Sequence, residues 1–113
     1  RVSAPRTVLF VTSDTHRADH VGCMGGSGMT PTIDALAARG TLYRDCIATT
    51  TITNPSHVAM MTGLSLRDTR IYGNLTPLAE RADTLAERFR AAGFRTFAAV
   101  SAENLSPERS GLG

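Results

Sequence analysis

The sequence predicts an α/β domain in which helices flank a mostly parallel sheet. Three observations point there. Residues 7–12 form a short continuous apolar run of β-branched and aromatic side chains, the pattern of a strand buried on both faces. Residues 30–40 and 83–93 each carry helix start and stop signals. Strand-like and helix-like segments also follow one another in the order that right-handed crossovers build onto a parallel sheet.

The first strand, Thr7-Val8-Leu9-Phe10-Val11-Thr12, ends at Ser13-Asp14-Thr15. Functional groups of open α/β sheets gather beyond the carboxyl ends of strands, which places Asp14 well to act. The competing reading is an Asp that caps the following turn. Four glycines between Gly22 and Gly28 make a loop. They lack the G-x-G-x-x-G order, and no lysine follows, so no nucleotide cradle is predicted. His16 and His20 are four apart, a zinc-pair spacing if the segment is helical, against a solvated loop otherwise.

Residues 30–40 read as a helix with Thr30 as N-cap, Pro31 in the first turn and Gly40 as the stop. Ile33, Leu36 and Ala37 share one face. Residues 41–47 alternate and suit a second strand. A threonine-rich stretch then leads into Thr53-Asn54-Pro55-Ser56-His57. Pro near a helix start, with Asn or Thr before it as a cap, predicts a sharp strand-to-helix turn with the Thr53 hydroxyl at the positive end of a short helix. Such a terminus favours anions and developing negative charge, so Thr53 is a candidate nucleophile toward a phosphate or sulfate ester. The plainer alternative is a Thr-rich strand before an ordinary capped helix.

Residues 64–74 read as a surface loop. In residues 83–93, Thr84 and Glu87 have capping-box spacing, Leu85, Phe89 and Ala92 line one side, and Gly93 ends the helix. Residues 95–100 read as a third buried strand, and residues 101–113 as loop. No internal repeat or low-complexity tail is present.

Composition narrows the function classes. Hydrophobic residues make up 42% of the 113 and charged residues 19%, which fits a folded domain rather than a disordered one. The net charge of +2 gives no drive toward nucleic acid or an anionic membrane. All 12 basic residues are arginine, which removes lysine Schiff-base chemistry and the P-loop lysine. No apolar run approaches the roughly 20 residues that span a bilayer. Cys23 and Cys46 are too few for a disulfide framework and read as free, partly buried thiols. The chain starts at Arg1 with a polar, Pro-containing residues 1–6, which reads as a removed leader or a piece of something longer. Neither compartment nor oligomeric state is assigned.

Taken in order, several of these segments resemble one family. They are residues 8–23, with Ser13-Asp14-Thr15-His16; residues 30–37; Thr53-Asn54-Pro55-Ser56-His57 followed by Met61-Thr62-Gly63-Leu64; and Thr84-Leu85-Ala86-Glu87 with Ala92-Gly93-Phe94-Arg95-Thr96. The set resembles the N-terminal portion of the sulfatase family, in the alkaline phosphatase superfamily. The resemblance implies an alkaline-phosphatase-like mostly parallel sheet flanked by helices. It makes residues 1–113 an N-terminal fragment of a sulfatase-like catalytic domain, its remaining ligands lying further along.

It also implies hydrolysis of small-molecule or glycan sulfate or phosphate esters at a divalent cation, calcium first, with manganese, magnesium or zinc as alternatives. Asp14 falls on a metal-binding Asp of the family; Ser13 stands where many members have a second acid. Thr53 falls on the nucleophile and metal-contact position of the C/S-x-P-S-R signature, and His57 on its Arg. Sulfatases oxidise Cys or Ser there to formylglycine, an aldehyde threonine cannot become. Threonine is, however, the nucleophile of phosphodiesterase-type relatives. Asn74 loosely matches a polar active-site residue. The expected site is therefore Thr53 and His57 for catalysis, with Asp14 and Thr53 toward the metal. The second expectation, motivated by the same departures, is a non-catalytic sulfatase-fold domain.

Overall fold

A computed structural model describes residues 7–79 and 82–112. The reading of residues 1–6 lies outside them. The chain divides into two compact units, with the boundary between Asp45 and Cys46.

In the first unit, a 3-10 turn at Ala18–His20 is followed by a second at Gly22–Met24 and by helix α1, Pro31–Arg39. Pro31 opens α1 as expected. Thr30 occupies the cap position but makes no capping bond. Its hydroxyl instead accepts the Gly22 N–H at 2.8 Å and donates to Asp34 Oδ1 at 3.1 Å. The same carboxylate oxygen accepts the Cys23 N–H at 2.7 Å. Asp34 thus pins the glycine loop to α1. The loop folds back on itself through Gly26 N–H to Val21 O and Ser27 N–H to Asp19 O. A Cβ on Gly28 would overlap the His20 carbonyl, and one on Gly26 the Asp19 carbonyl; this close backbone approach is why these positions are glycine.

The second unit holds α2 (Thr53–Thr62), α3 (Leu66–Thr69), α4 (Leu85–Ala91), a 3-10 turn at Glu103–Leu105 and α5 (Pro107–Ser110). Its core is small: Val58, Ile71 and Leu78, with Ala82 and Leu112 packed against them. Leu78 N–H donates to Ser110 O at 2.8 Å, and Ser110 is fully buried. Gly111 follows at φ +70°, and a Cβ there would strike the Leu78 backbone. α4 has the expected capping box between Thr84 and Glu87. The Phe89 and Phe94 rings meet edge to face, 5.2 Å between centroids.

Two corrections follow for loops. Residues 64–74, expected to be irregular, contain α3, closed by a Ser65–Asp68 capping box. That Ser-x-x-Asp spacing was readable in the sequence. Residues 101–113, also expected as loop, supply the turn and helix that deliver Ser110 to the core.

The larger correction concerns the sheet. No strand is present among the described residues. Residues 7–12, 41–47 and 95–100 are irregular, and their apolar side chains are exposed apart from the half-buried Leu42: Leu9 is 84% and Phe97 94% accessible. The physical reason is that a strand has no internal hydrogen bonds. A helix is held by its own i to i−4 ladder, whereas a parallel strand exists only when a neighbour pairs with it and layers cover it. The three segments have strand composition but form no strand among the described residues.

Candidate active site

α2 begins at Thr53, with Ile52 as the cap residue, so Thr53 and Asn54 are its first two residues and Pro55 its third. This places the helix start two residues before the one expected from Pro55. Four orphan N–H groups must be satisfied at such an end. Pro55 contributes none. Ser56 N–H reaches Ile52 O at 3.2 Å. Asn54 N–H donates to Asn74 Oδ1 at 3.0 Å. The cap side chain therefore comes from 20 residues downstream instead of from Thr53 or Asn54. The Asn54 N–H is thereby engaged within the protein, while the helix dipole still favours negative charge at this end.

Asn54 is fully buried. Its Nδ2 donates to Thr76 O at 2.9 Å and more weakly to Gly73 O at 3.5 Å. Both partners are carbonyls, so the amide nitrogen must face them and the orientation is fixed. Its Oδ1 is buried and has no hydrogen-bond partner among the described residues. An orphaned buried acceptor of this kind costs about 1–3 kcal/mol.

His57 is buried, 6% accessible, and its Nδ1 lies 2.9 Å from Thr53 O. A carbonyl only accepts, so Nδ1 carries the proton, and Nε2 is the acceptor of the neutral ring. The two predicted catalytic residues are thus brought together: the His57 ring grips the backbone of Thr53 one turn earlier on α2. Thr53 itself is half-buried.

Asp14 belongs to the first unit. It is exposed, in a turn with Thr15, and Thr15 has φ +55°. A β-branched residue rarely adopts that left-handed conformation, and strained backbone of this kind is concentrated at functional sites. Nothing in residue type or spacing announces it. Ala18–His20 is a three-residue 3-10 turn that excludes His16, so the helical spacing behind the zinc-pair reading does not arise. Among the described residues, no group of three or more His, Cys, Asp or Glu could hold a metal ion. The donors at the expected metal positions, a carboxylate and a hydroxyl, are hard oxygens of the type suited to calcium, magnesium or manganese, but are fewer than the six or more that such ions take. Both cysteines are free, Cys23 half-buried and Cys46 exposed. No helix among the described residues is long and apolar enough to cross a membrane.

This chain is a member of the sulfatase family, whose profile matches residues 6–110. It therefore falls within the alkaline phosphatase superfamily. Among curated relatives, it is 28% identical over 89 residues to the uncharacterized sulfatase YidJ of Escherichia coli (strain K12), covering 78% of this chain and 18% of that protein. It is 30% identical over 95 residues to the multifunctional alkaline phosphatase superfamily protein PehA of Trinickia caryophylli, covering 79% and 18%. It is 25% identical over 90 residues to the N-acetylglucosamine-6-O-sulfatase of Bacteroides thetaiotaomicron, covering 79% and 16%. Among solved structures, the phosphonate monoester hydrolase of Agrobacterium radiobacter superposes with a TM-score of 0.69 at 33% identity, covering 74% of this chain and 17% of that one. The chain spans less than a fifth of the length of these relatives.

Proposed function

We propose that this chain carries the nucleophile-bearing part of a metal-dependent hydrolase of sulfate or phosphate esters, with Thr53 as the attacking residue. The observation that carries the reading is the seat of Thr53. It is the first residue of α2, with its carbonyl held by His57 and the next N–H held by Asn74. A hydroxyl on a fixed first turn sits at the positive end of a helix dipole, where developing negative charge is favoured. The likeness to sulfatases and to a phosphonate monoester hydrolase supports the ester class.

Thr53 carries the hydroxyl, and Asp14 the carboxylate, that the family resemblance assigns to the cation. Bound there, a divalent ion lowers the pKa of a coordinated hydroxyl and neutralises charge on the ester. In the proposed reaction Thr53 Oγ1 gives up its proton and bonds to the sulfur or phosphorus. The bond to the ester oxygen breaks, and that oxygen leaves with the electron pair and takes a proton. Water then cleaves the threonyl ester. His57 donates from Nδ1 to Thr53 O, so it reaches a non-bridging oxygen only as imidazolium, with Nε2 as the second donor.

The test is Thr53→Ala and Thr53→Ser in the full-length protein, assayed on matched aryl sulfate, phosphate monoester and phosphate diester. Loss of all hydrolysis in Thr53→Ala with recovery in Thr53→Ser is expected; hydrolysis at the parent rate in Thr53→Ala rules out the nucleophile. The second reading, a non-catalytic domain, is favoured by Ser13 and His57 in place of the family's acid and Arg. It predicts that calorimetric titration with calcium, magnesium, manganese and zinc gives no binding to the full-length protein.

A further inference from the structure

Resting on the reading of Thr53 as nucleophile, we propose that Asn54 is a positioning residue whose buried carboxamide aims the Thr53 hydroxyl by tying the 73–76 loop to the first turn of α2. The Thr53–Asn54 peptide is planar, and both of its polar ends are gripped. His57 Nδ1 holds the carbonyl at 2.9 Å, and Asn74 Oδ1 holds the N–H at 3.0 Å. Asn74 is a loop residue, and a loop side chain aims accurately only if its backbone is fixed. Asn54 supplies that fixation, since its Nδ2 donates to the carbonyls of Gly73 and Thr76 on either side of Asn74. The contact is reciprocal: backbone of the helix to side chain of the loop, and side chain of the helix to backbone of the loop.

The Oδ1 of Asn54 has no hydrogen-bond partner among the described residues, so the amide is anchored through its donors. Its two donors are what the site uses. Loosening them frees the 73–76 loop, releases the Asn54 N–H, and lets the Thr53–Asn54 peptide tilt. Misalignment of the attacking oxygen slows the chemical step and leaves ester binding almost unchanged.

The experiment uses the full-length protein with Asn54→Ala, Asn54→Asp and Asn54→Ser, and p-nitrophenyl phosphate and p-nitrophenyl sulfate as probes. Rates are normalised to folded protein, and amide exchange of residues 73–76 is followed in parallel. On whichever probe the parent turns over, Asn54→Ala and Asn54→Asp lower kcat at least tenfold with KM within twofold, and exchange rises at 73–76. Asn54→Ser, which keeps one short donor and is the mildest change should the others not fold, retains an intermediate kcat. A parent kcat per folded molecule in the variants, with or without faster exchange, overturns the proposal and leaves Asn54 a purely structural residue. A proportional rise in KM with kcat unchanged also overturns it. Thr53→Ala separates the two ideas. If that variant is inactive while Asn54→Ala keeps the parent kcat, only the positioning role fails; if Thr53→Ala hydrolyses at the parent rate, the nucleophile itself is wrong.

Discussion

Asn74 Oδ1 accepts the backbone N–H of Asn54 at 3.0 Å and so caps a helix that starts 21 residues before it in sequence. Its removal has a defined cost. Asn74→Ala leaves the donor unsatisfied and lowers unfolding stability by about 1 kcal/mol, whereas Asn74→Asp, which keeps an acceptor at a helix N-terminus, stays within a few tenths. Urea unfolding of the full-length protein measures both. Equal losses in the two variants would show that the cap is not the source of the stability.

Asp34 predicts a local effect without global consequences. Its Oδ1 accepts the Cys23 N–H and the Thr30 hydroxyl, so Asp34→Ala releases the glycine loop from α1. The half-buried Cys23 thiol then reacts faster with iodoacetamide, by about fivefold or more for a local opening favoured by roughly 1 kcal/mol. An unchanged rate at Cys23, with Cys46 as the exposed internal control, would show that Asp34 does not secure the loop.

The core of the second unit is thin enough that one side chain matters. Val58 is fully buried among Ile71 and Leu78. Val58→Ala removes two methyl groups there and costs about 2 kcal/mol. A chemical-denaturation midpoint within error of the parent would show that the site collapses without a cavity.

Acid sensitivity follows from the capping boxes. Hydrogen bonds from the Thr84 backbone N–H and hydroxyl hold the Glu87 carboxyl below its ordinary value. The Ser65 hydroxyl and N–H do the same for Asp68. A depressed folded-state pKa means that the folded state binds fewer protons than the unfolded one. The stabilisation is fully present above the unfolded values, roughly 4 for these carboxyls, and is lost as the pH falls below them. Glu87→Gln therefore unfolds more readily than the parent at pH 7, and the difference narrows toward pH 3. A gap that stays constant across that range would rule out the carboxylate as its cause.

Local chemistry was legible wherever it closes over a few residues. Pro31 and Gly40 bracket α1, Thr84 and Glu87 cap α4, and Thr53 was placed at the mouth of a short helix, all from spacing alone, because caps and i to i+4 ladders are made within one turn. The Ser65–Asp68 box was legible too, although the surrounding polarity read as loop. The sequence by itself also determined the family, since ordered motifs over nearly the whole chain survive independently of any contact.

What only the tertiary structure decided are relationships between distant residues. That Asn74, and not Thr53 or Asn54, caps α2 depends on the 73–76 loop being folded against the helix, which no spacing encodes. That His57 turns Nδ1 onto Thr53 O follows from a packed rotamer. The sheet lies on the other side of the same line: residues 7–12, 41–47 and 95–100 have the composition of strands, but a strand is a property of a pair. Local pattern made Thr53 a candidate hydroxyl beside a plainer capped-helix reading, and the resemblance put it at the family's nucleophile position. The structure adds that the peptide after it is held from both ends, by groups that a linear reading sets four and 21 residues away.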